Sequence, residues 1–157
     1  MRIGQGFDLH KLECGLELTL GGVKIPCSKG FVAHSDGDVL YHALIDAIFG
    51  SLALGDIGSH FPDNDPKYKD INSEILLKKA GEILLNNGYK IINIDSTITA
   101  EEPKMRPYID EMRLNIAKAL NLEVCQVSVK AKTNEKMDSI GECLAISANA
   151  IVLVDKI

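Results

Sequence analysis

The sequence predicts an α+β fold in which one mixed β-sheet is covered by helices, with an N-terminal β-hairpin. Three observations predict it. Strand patterns come first in the chain, helical and extended segments then interleave, and a Gly21-Gly22 pair joins two short extended runs.

Residues 1–8 read as the first strand, and within GFDLH (6–10) Asp8 and His10 stand two positions apart. Side chains at i and i+2 of a strand share a face, about 7 Å apart at the Cα level, so these two can converge on one point. Runs 17–20 and 23–26 form the hairpin around the two glycines. From Asp38 the period changes, and Val39, Leu40, Ala43, Leu44, Ala47 and Ile48 recur at helical spacing after the capping residues SDGD. That predicts a helix of about four turns. LGDIGSHFPDNDP (54–66) reads as a loop, followed by an amphipathic helix over 73–87 that Gly88 stops. IINIDSTIT reads as a strand. A third helix over 107–120 uses Pro107 in its first turn, and CQVSVKAKT and LAISANAIVLVD read as closing strands. No repeat, linker or low-complexity run divides the chain, which predicts one domain over 1–157.

Composition narrows the function classes. With 157 residues, 46% hydrophobic and 25% charged, the chain has the make-up of a globular protein that buries a real core. No apolar run approaches the roughly 18 residues that span a bilayer, and MRIGQGFDLH has no secretory apolar region. The expectation is a cytoplasmic protein without membrane association, or one of a plastid-type organelle were a transit peptide removed. A net charge of -5 and 5% aromatic residues offer neither a basic stripe nor a stacking platform, which excludes a nucleic-acid partner. Cys14, Cys27, Cys125 and Cys143 are irregularly spaced with no C-x-x-C, and are expected to be reduced and part-buried.

Four groups of residues carry candidate chemistry. Asp8, His10 and His42 offer two nitrogens and one oxygen, a donor set for a catalytic zinc that leaves its fourth position open; the competing reading is surface hydrogen bonding. Asp38 and Asp46 lie four residues to either side of His42, so one carboxylate is expected to orient its imidazole. In HSDGD (34–38), Ser35 or Asp36 caps the helix, while His34 and the helix N-terminus can donate to an anion. The acids Asp56, Asp63 and Asp65, with Gly58 and Pro62, read either as a solvated turn or as a polyol-binding loop. In EEPKMRP and KAKTNEK, Lys104, Arg106, Lys130, Lys132 and Thr133 can neutralise a diphosphate and Glu135 can hold a divalent cation; ordinary solvated charge is the alternative.

Taken in order, RIGQGFDLH, GGVKIP, AHSDGDVLYHAL, LGDIGSHFPDNDP, TITAEEPKMRP and VKAKTNEK closely resemble the 2-C-methyl-D-erythritol 2,4-cyclodiphosphate synthase family, over residues 2 to about 136. The resemblance implies a phosphorus-oxygen lyase of the non-mevalonate isoprenoid precursor pathway. Such an enzyme cyclises 4-diphosphocytidyl-2-C-methyl-D-erythritol 2-phosphate and releases CMP. It implies that Asp8, His10 and His42 ligate zinc, that His34 and Ser35 contact substrate, and that the segment carrying Asp56, Ile57, Gly58, Phe61, Pro62, Asp63, Asn64 and Asp65 holds the methylerythritol part. Ala100, Pro103, Lys104, Met105 and Arg106 match a cytidine pocket. Lys132, Thr133, Asn134 and Glu135 match diphosphate contacts, Glu135 through a magnesium or manganese ion. His34 and Thr133 would assist catalysis, and Asp8 and His10 would meet substrate as well as metal.

The resemblance also implies a homotrimer with active sites between neighbouring subunits. After Lys136 the chain departs from the family: MDSIGECLA is about two residues shorter and lacks the usual arginine, which removes a cation from the expected trimer centre. Lys132 replaces a usual small hydroxyl residue. Two rival readings differ in class: a non-catalytic cytidine-nucleotide-binding regulatory trimer, and a metal-dependent phosphohydrolase.

Overall fold

The computed structural model describes residues 1–62, 64–68 and 71–157. Its frame is a five-stranded mixed sheet whose central strand is the last in the chain. β1 (Arg2–Cys14), β4 (Lys29–Phe31), β5 (Tyr89–Thr99), β6 (Val127–Lys132) and β7 (Ala145–Lys156) lie in the order β4-β1-β7-β5-β6. β7 pairs antiparallel with β1 and with β5, and β5 pairs parallel with β6. The two-stranded hairpin of β2 (Leu18–Leu20) and β3 (Val23–Ile25) forms a separate small sheet around Gly21 and Gly22, as expected.

Helices α1 (Val39–Ser51), α3 (Ser73–Asn86) and α4 (Ile109–Leu120) cover one face of the large sheet, with α2 (Ile57–His60) a single turn between the first two. α1 is the buried one. It is apolar almost all round because β1 and β7 lie on one side of it and α3 on another. Its approach to β1 depends on two glycines: a Cβ on Gly4 would fall 1.8 Å from Ala47 O, and one on Gly6 1.9 Å from Ala43 O. No other residue allows that contact. The face of β1 that carries Gly4 and Gly6 also carries Asp8 and His10, so the close packing brings α1 onto those two side chains.

The other face of the sheet leaves Ile3 (68% exposed), Phe7 (52%), Leu9 (44%) and Ile151 (47%) open to solvent. Phe7 pairs with Asn149 and Gln5 with Ile151 across the β1–β7 ladder, so these apolar side chains share one sheet face with polar residues between them.

Several expectations need correcting. β1 runs six residues beyond position 8, because Leu12 is still buried and Leu12, Glu13 and Cys14 pair with β4, a three-residue edge strand too short to read from its pattern. The loop expected over 54–66 contains α2, a turn closed locally when the Asp56 carboxylate accepts from Ser59 N (2.8 Å) and Ser59 Oγ (2.6 Å). The helix expected over 107–120 opens with a 3-10 turn, Arg106–Tyr108, that holds Pro107, and becomes α-helical at Ile109. A further turn, α5 (Asp138–Gly141), lies where the family pattern breaks off. Cys14, Cys27 and Cys125 are exposed and only Cys143 is part-buried, the first three falling on strand ends and turns rather than on the covered face.

Candidate functional site

Asp8 and His10 project from β1 on the helix side, and His42 comes down onto them from the first turn of α1. Asp8 Oδ2 lies 2.9 Å from His42 Nδ1 and 3.0 Å from His10 Nδ1. One ligand atom from each of the three residues falls within 4.8 Å of the others, and among the described residues this is the one such group. His10 Nδ1 is buried and makes no hydrogen bond, its approach to Asp8 being one of proximity without donor alignment. A buried ring nitrogen left unpaired beside a carboxylate and a second imidazole is what a metal ligand looks like before its metal arrives. Two nitrogens and one oxygen are the donors a catalytic zinc accepts while keeping a fourth position free.

The electrostatics agree with that geometry. Burial alone would raise the Asp8 carboxyl, but the imidazoles of His10 and His42 draw it well below the usual carboxylate range. Burial opposes charge on His42 as well, yet Asp8, and beyond it Asp38 and Asp36, raise it above its ordinary value.

His42 is not oriented by either carboxylate on its own helix. Asp38 is the N-cap of α1 and turns away to the hairpin, accepting from Gly21 N (3.0 Å), Gly22 N (2.8 Å) and Tyr41 N (3.1 Å). Its burial pushes the carboxyl up to about 6 against those three donors. Asp46 is taken by the start of α2, accepting from Ile57 N at 2.7 Å. The residue behind His42 is Ser73, the first of α3, with its Oγ 2.9 Å from His42 Nε2. Ser73 is fully buried and its hydroxyl donates to Asp36. Sequence reasoning missed Ser73, since a serine at the start of a helix reads as ordinary capping. The cap of α1 also falls to Asp38 rather than to Ser35 or Asp36: Ser35 Oγ accepts from Gly37 N (3.2 Å), and Asp36 reaches across to α3.

Asp8, His10 and His42 stand at the wall of a cleft of about 310 Å³. His34, Ser35, Ile57, Gly58 and Phe61 line it as expected, and Val32, Tyr68 and Leu76 add an apolar wall that the sequence did not suggest. Pro62 and Asn64 do not line it, nor do Asp56 and Asp65, whose carboxylates are engaged locally. Asp56 caps α2, while Asp65 accepts from Lys67 N (3.1 Å) and pairs with Lys67 Nζ (3.1 Å). Asp63 lies outside the described residues.

The remaining predicted residues form a second cluster at the end of the parallel β5–β6 pair. Ala100 N donates to Lys132 O (2.9 Å), Ala100 and Met105 are buried, and Pro103, Lys104 and Arg106 lie in the connecting loop with both cationic side chains exposed. Glu101 Oε2 accepts from Asn134 N and Lys136 N, each at 3.2 Å, which holds this loop to the segment after β6. Thr133 Oγ1 donates to Glu135 Oε1 at 2.7 Å. Lys130 is ion-paired with Asp95, and Lys132 is exposed. Beyond Lys136, α5 packs so tightly that a Cβ on Gly141 would lie 2.1 Å from the Lys136 carbonyl carbon. None of this cluster lines the cleft. β1 and β6 are separated in the sheet by β7 and β5, about 14 Å at the spacing of paired strands.

The model of the YgbB family matches residues 1–155. The chain is 54% identical over 157 residues to the 2-C-methyl-D-erythritol 2,4-cyclodiphosphate synthase of Natranaerobius thermophilus, covering 100% of this chain and 99% of that one. It is 55% identical over 156 residues to the same synthase of Clostridium perfringens, covering 99% and 100%. Among solved structures, the bifunctional IspDF of Campylobacter jejuni superposes with a TM-score of 0.95 at 41% identity, over 99% of this chain but 42% of that longer one. The CDP complex of IspF from Plasmodium falciparum superposes with a TM-score of 0.87 at 40% identity, over 99% and 96%.

Proposed function

The chain belongs to the YgbB family, and from that premise we propose how its residues carry out the family's reaction. It is an enzyme, a 2-C-methyl-D-erythritol 2,4-cyclodiphosphate synthase. It cyclises 4-diphosphocytidyl-2-C-methyl-D-erythritol 2-phosphate with release of CMP, in the non-mevalonate isoprenoid precursor pathway. By reaction type we class it as a phosphorus-oxygen lyase, working as a single catalytic domain. The observation that carries the reading is the convergence of Asp8, His10 and His42 at the wall of the cleft, in a chain 54% identical to such synthases.

An oxygen of the substrate's 2-phosphate forms a bond to the β-phosphorus of the same molecule. The bond from that phosphorus to the bridging oxygen breaks, and CMP leaves with the electron pair. Attacking and leaving groups both belong to the substrate, so no protein nucleophile is required and the protein's task is to fold and neutralise it. Asp8, His10 and His42 would hold zinc, and Glu135 a magnesium or manganese ion; when bound, these cations withdraw charge from the β-phosphate and screen the approach of two anions. His34 and Ser35 stand on the same cleft wall and donate hydrogen bonds to the phosphates. Ile57, Phe61 and Leu76 narrow the cleft beside the ligands and keep water from the β-phosphorus, where hydrolysis would compete.

The cytidine end belongs to the second cluster, with Ala100, Pro103, Lys104, Met105 and Arg106 around the base and ribose and Lys132, Thr133 and Asn134 at the diphosphate. The CDP complex of a relative supports a nucleotide ligand. Two clusters about 14 Å apart by strand spacing do not form one pocket within a chain. We therefore propose a homotrimer in which the metal cluster of one subunit meets the cytidine cluster of its neighbour. The exposed apolar face of Ile3, Phe7, Leu9 and Ile151 supports such an assembly. The relatives named from Natranaerobius and Clostridium are bacterial, in keeping with a cytoplasmic enzyme.

Phosphorus NMR of substrate incubated with the protein, zinc and magnesium tests the reaction. A cyclic diphosphate and one equivalent of CMP are expected. A ring-opened phosphate would identify a hydrolase instead, and unchanged substrate that remains bound would identify a nucleotide-binding trimer.

A further inference from the structure

We infer that Ser73, held by Asp36, is a positioning residue that fixes which nitrogen of His42 faces the metal; the inference rests on the metal reading proposed above. Two hydroxyls stand near His42 Nε2, Ser73 Oγ at 2.9 Å and Ser35 Oγ at 3.3 Å. Ser35 is the weaker neighbour, because it stands 0.4 Å farther off.

Ser73 is committed in direction. Its hydroxyl proton goes to Asp36 Oδ1, while its backbone N–H donates to Asp36 Oδ2 at 3.0 Å, so one carboxylate grips the serine at two points. A hydroxyl whose proton is spent on a carboxylate presents only lone pairs elsewhere, and His42 Nε2 is what they face. The ring therefore keeps a proton on Nε2, and Nδ1, 2.9 Å from Asp8 Oδ2, is the nitrogen that gives up its proton to a metal held by Asp8 and His10.

Metal-bound imidazoles commonly donate their second N–H to a carboxylate, carbonyl or water. Here the carboxylate acts through one intervening hydroxyl, which keeps a second full negative charge one hydrogen bond away from the site that Asp8 already serves. The three residues come from the loop before α1, from α1 itself and from the start of α3. Asp36 adjoins Ser35 in that loop, so the orientation of a metal ligand is tied to the segment proposed to touch the substrate.

Zinc affinity, measured by competition with a fluorescent chelator, is the first test. Ser73→Ala is expected to weaken zinc binding by about 10–100-fold, and Ser73→Thr, which keeps the hydroxyl, to hold it within a few-fold. Thermal unfolding of the metal-free variants separates lost positioning from lost fold. The second test needs no variant: nitrogen-15 NMR of the His42 ring in the zinc-loaded protein is expected to show zinc at Nδ1 and a slowly exchanging proton on Nε2. Zinc affinity of a folded Ser73→Ala within twofold of the unsubstituted protein, or a protonated Nδ1 in the loaded protein, would overturn the inference. Failure of the unsubstituted protein to bind zinc at all would overturn the metal reading beneath it.

Discussion

Asp8 Oδ2 lies 2.9 Å from His42 Nδ1, across 34 positions of sequence. The contact joins a strand to a helix, and it exists because two glycines let that helix lie against the strand one turn away. The candidate metal cluster and the packing are thus one arrangement.

Removing His42 removes one nitrogen from the donor set and leaves Asp8 with a single imidazole beside it. His42→Ala is expected to be purified with little or no zinc and to lose CMP release by at least about 100-fold, the scale of losing a preorganised electrostatic group. Metal analysis of the purified variant and a CMP-release assay check both parts. Full turnover by that variant is the contrary result.

Gly6→Ala places a methyl group where Ala43 O now stands, at 1.9 Å, and backbone cannot yield as a flexible side chain would. The helix must move away from the strand. A loss of about 1–3 kcal/mol or more is expected in urea unfolding. Zinc affinity is expected to fall as well, since the same movement parts His42 from Asp8. Gly50, where a Cβ would meet only Gln5 O at 3.7 Å, an ordinary contact, is the control for a glycine without such a clash.

The metal-free protein should be more stable at pH 5.5 than at pH 8.5. Despite burial, Asp8 holds the His42 imidazole above its ordinary 6.5, so that stabilisation is present below 6.5 and is lost as pH rises through the raised value. Asp8 itself is drawn below 3.8 although burial opposes this, so its stabilisation is present above 3.8 and fails only toward strong acid. Asp38, pushed up from 3.8 to about 6 by burial, adds a loss in the same direction as His42, because its ionisation in the fold becomes costly as pH rises through that interval. Zinc must displace the His42 proton, so its affinity is expected to increase over the same range. Urea midpoints at the two pH values, with and without zinc, check the signs: the metal-free protein should weaken on going to pH 8.5 and the zinc-dependent increment should grow.

Phe7 is 52% exposed on the sheet face opposite the metal cluster. Phe7→Glu is expected to leave zinc binding intact while reducing the mass in light scattering from three chains to one. CMP release should collapse with it, since the cytidine cluster of a neighbour would no longer be supplied. A monomeric variant that still turns over would show that one chain holds the whole site.

Much of this was legible in the sequence, for reasons of range. Asp8 and His10 share a strand face by period alone, the hairpin is written in Gly21 and Gly22, and α1, α3 and the closing strands follow from apolar spacing. The partners of His42 were not legible. Its neighbours at i±4, Asp38 and Asp46, are drawn off by the hairpin amides and by the first amide of α2, contacts that depend on tertiary folding. Ser73 and Asp36, 37 positions apart, carry no local pattern. The far end of β1 was hidden because Lys11 and Glu13 pair with each other on the solvent side while only Leu12 is buried. The ion pair of Lys130 was not legible because its partner, Asp95, stands on the neighbouring strand.

On the proposed mechanism a cation held by Asp8, His10 and His42 makes ring closure possible. Its most direct measurement is the rate of cyclic diphosphate formation by protein stripped with a chelator, then titrated with zinc at fixed magnesium. Negligible cyclisation is expected in the stripped protein, with recovery that saturates at one zinc per chain. Undiminished cyclisation by protein verified to be free of zinc would contradict it.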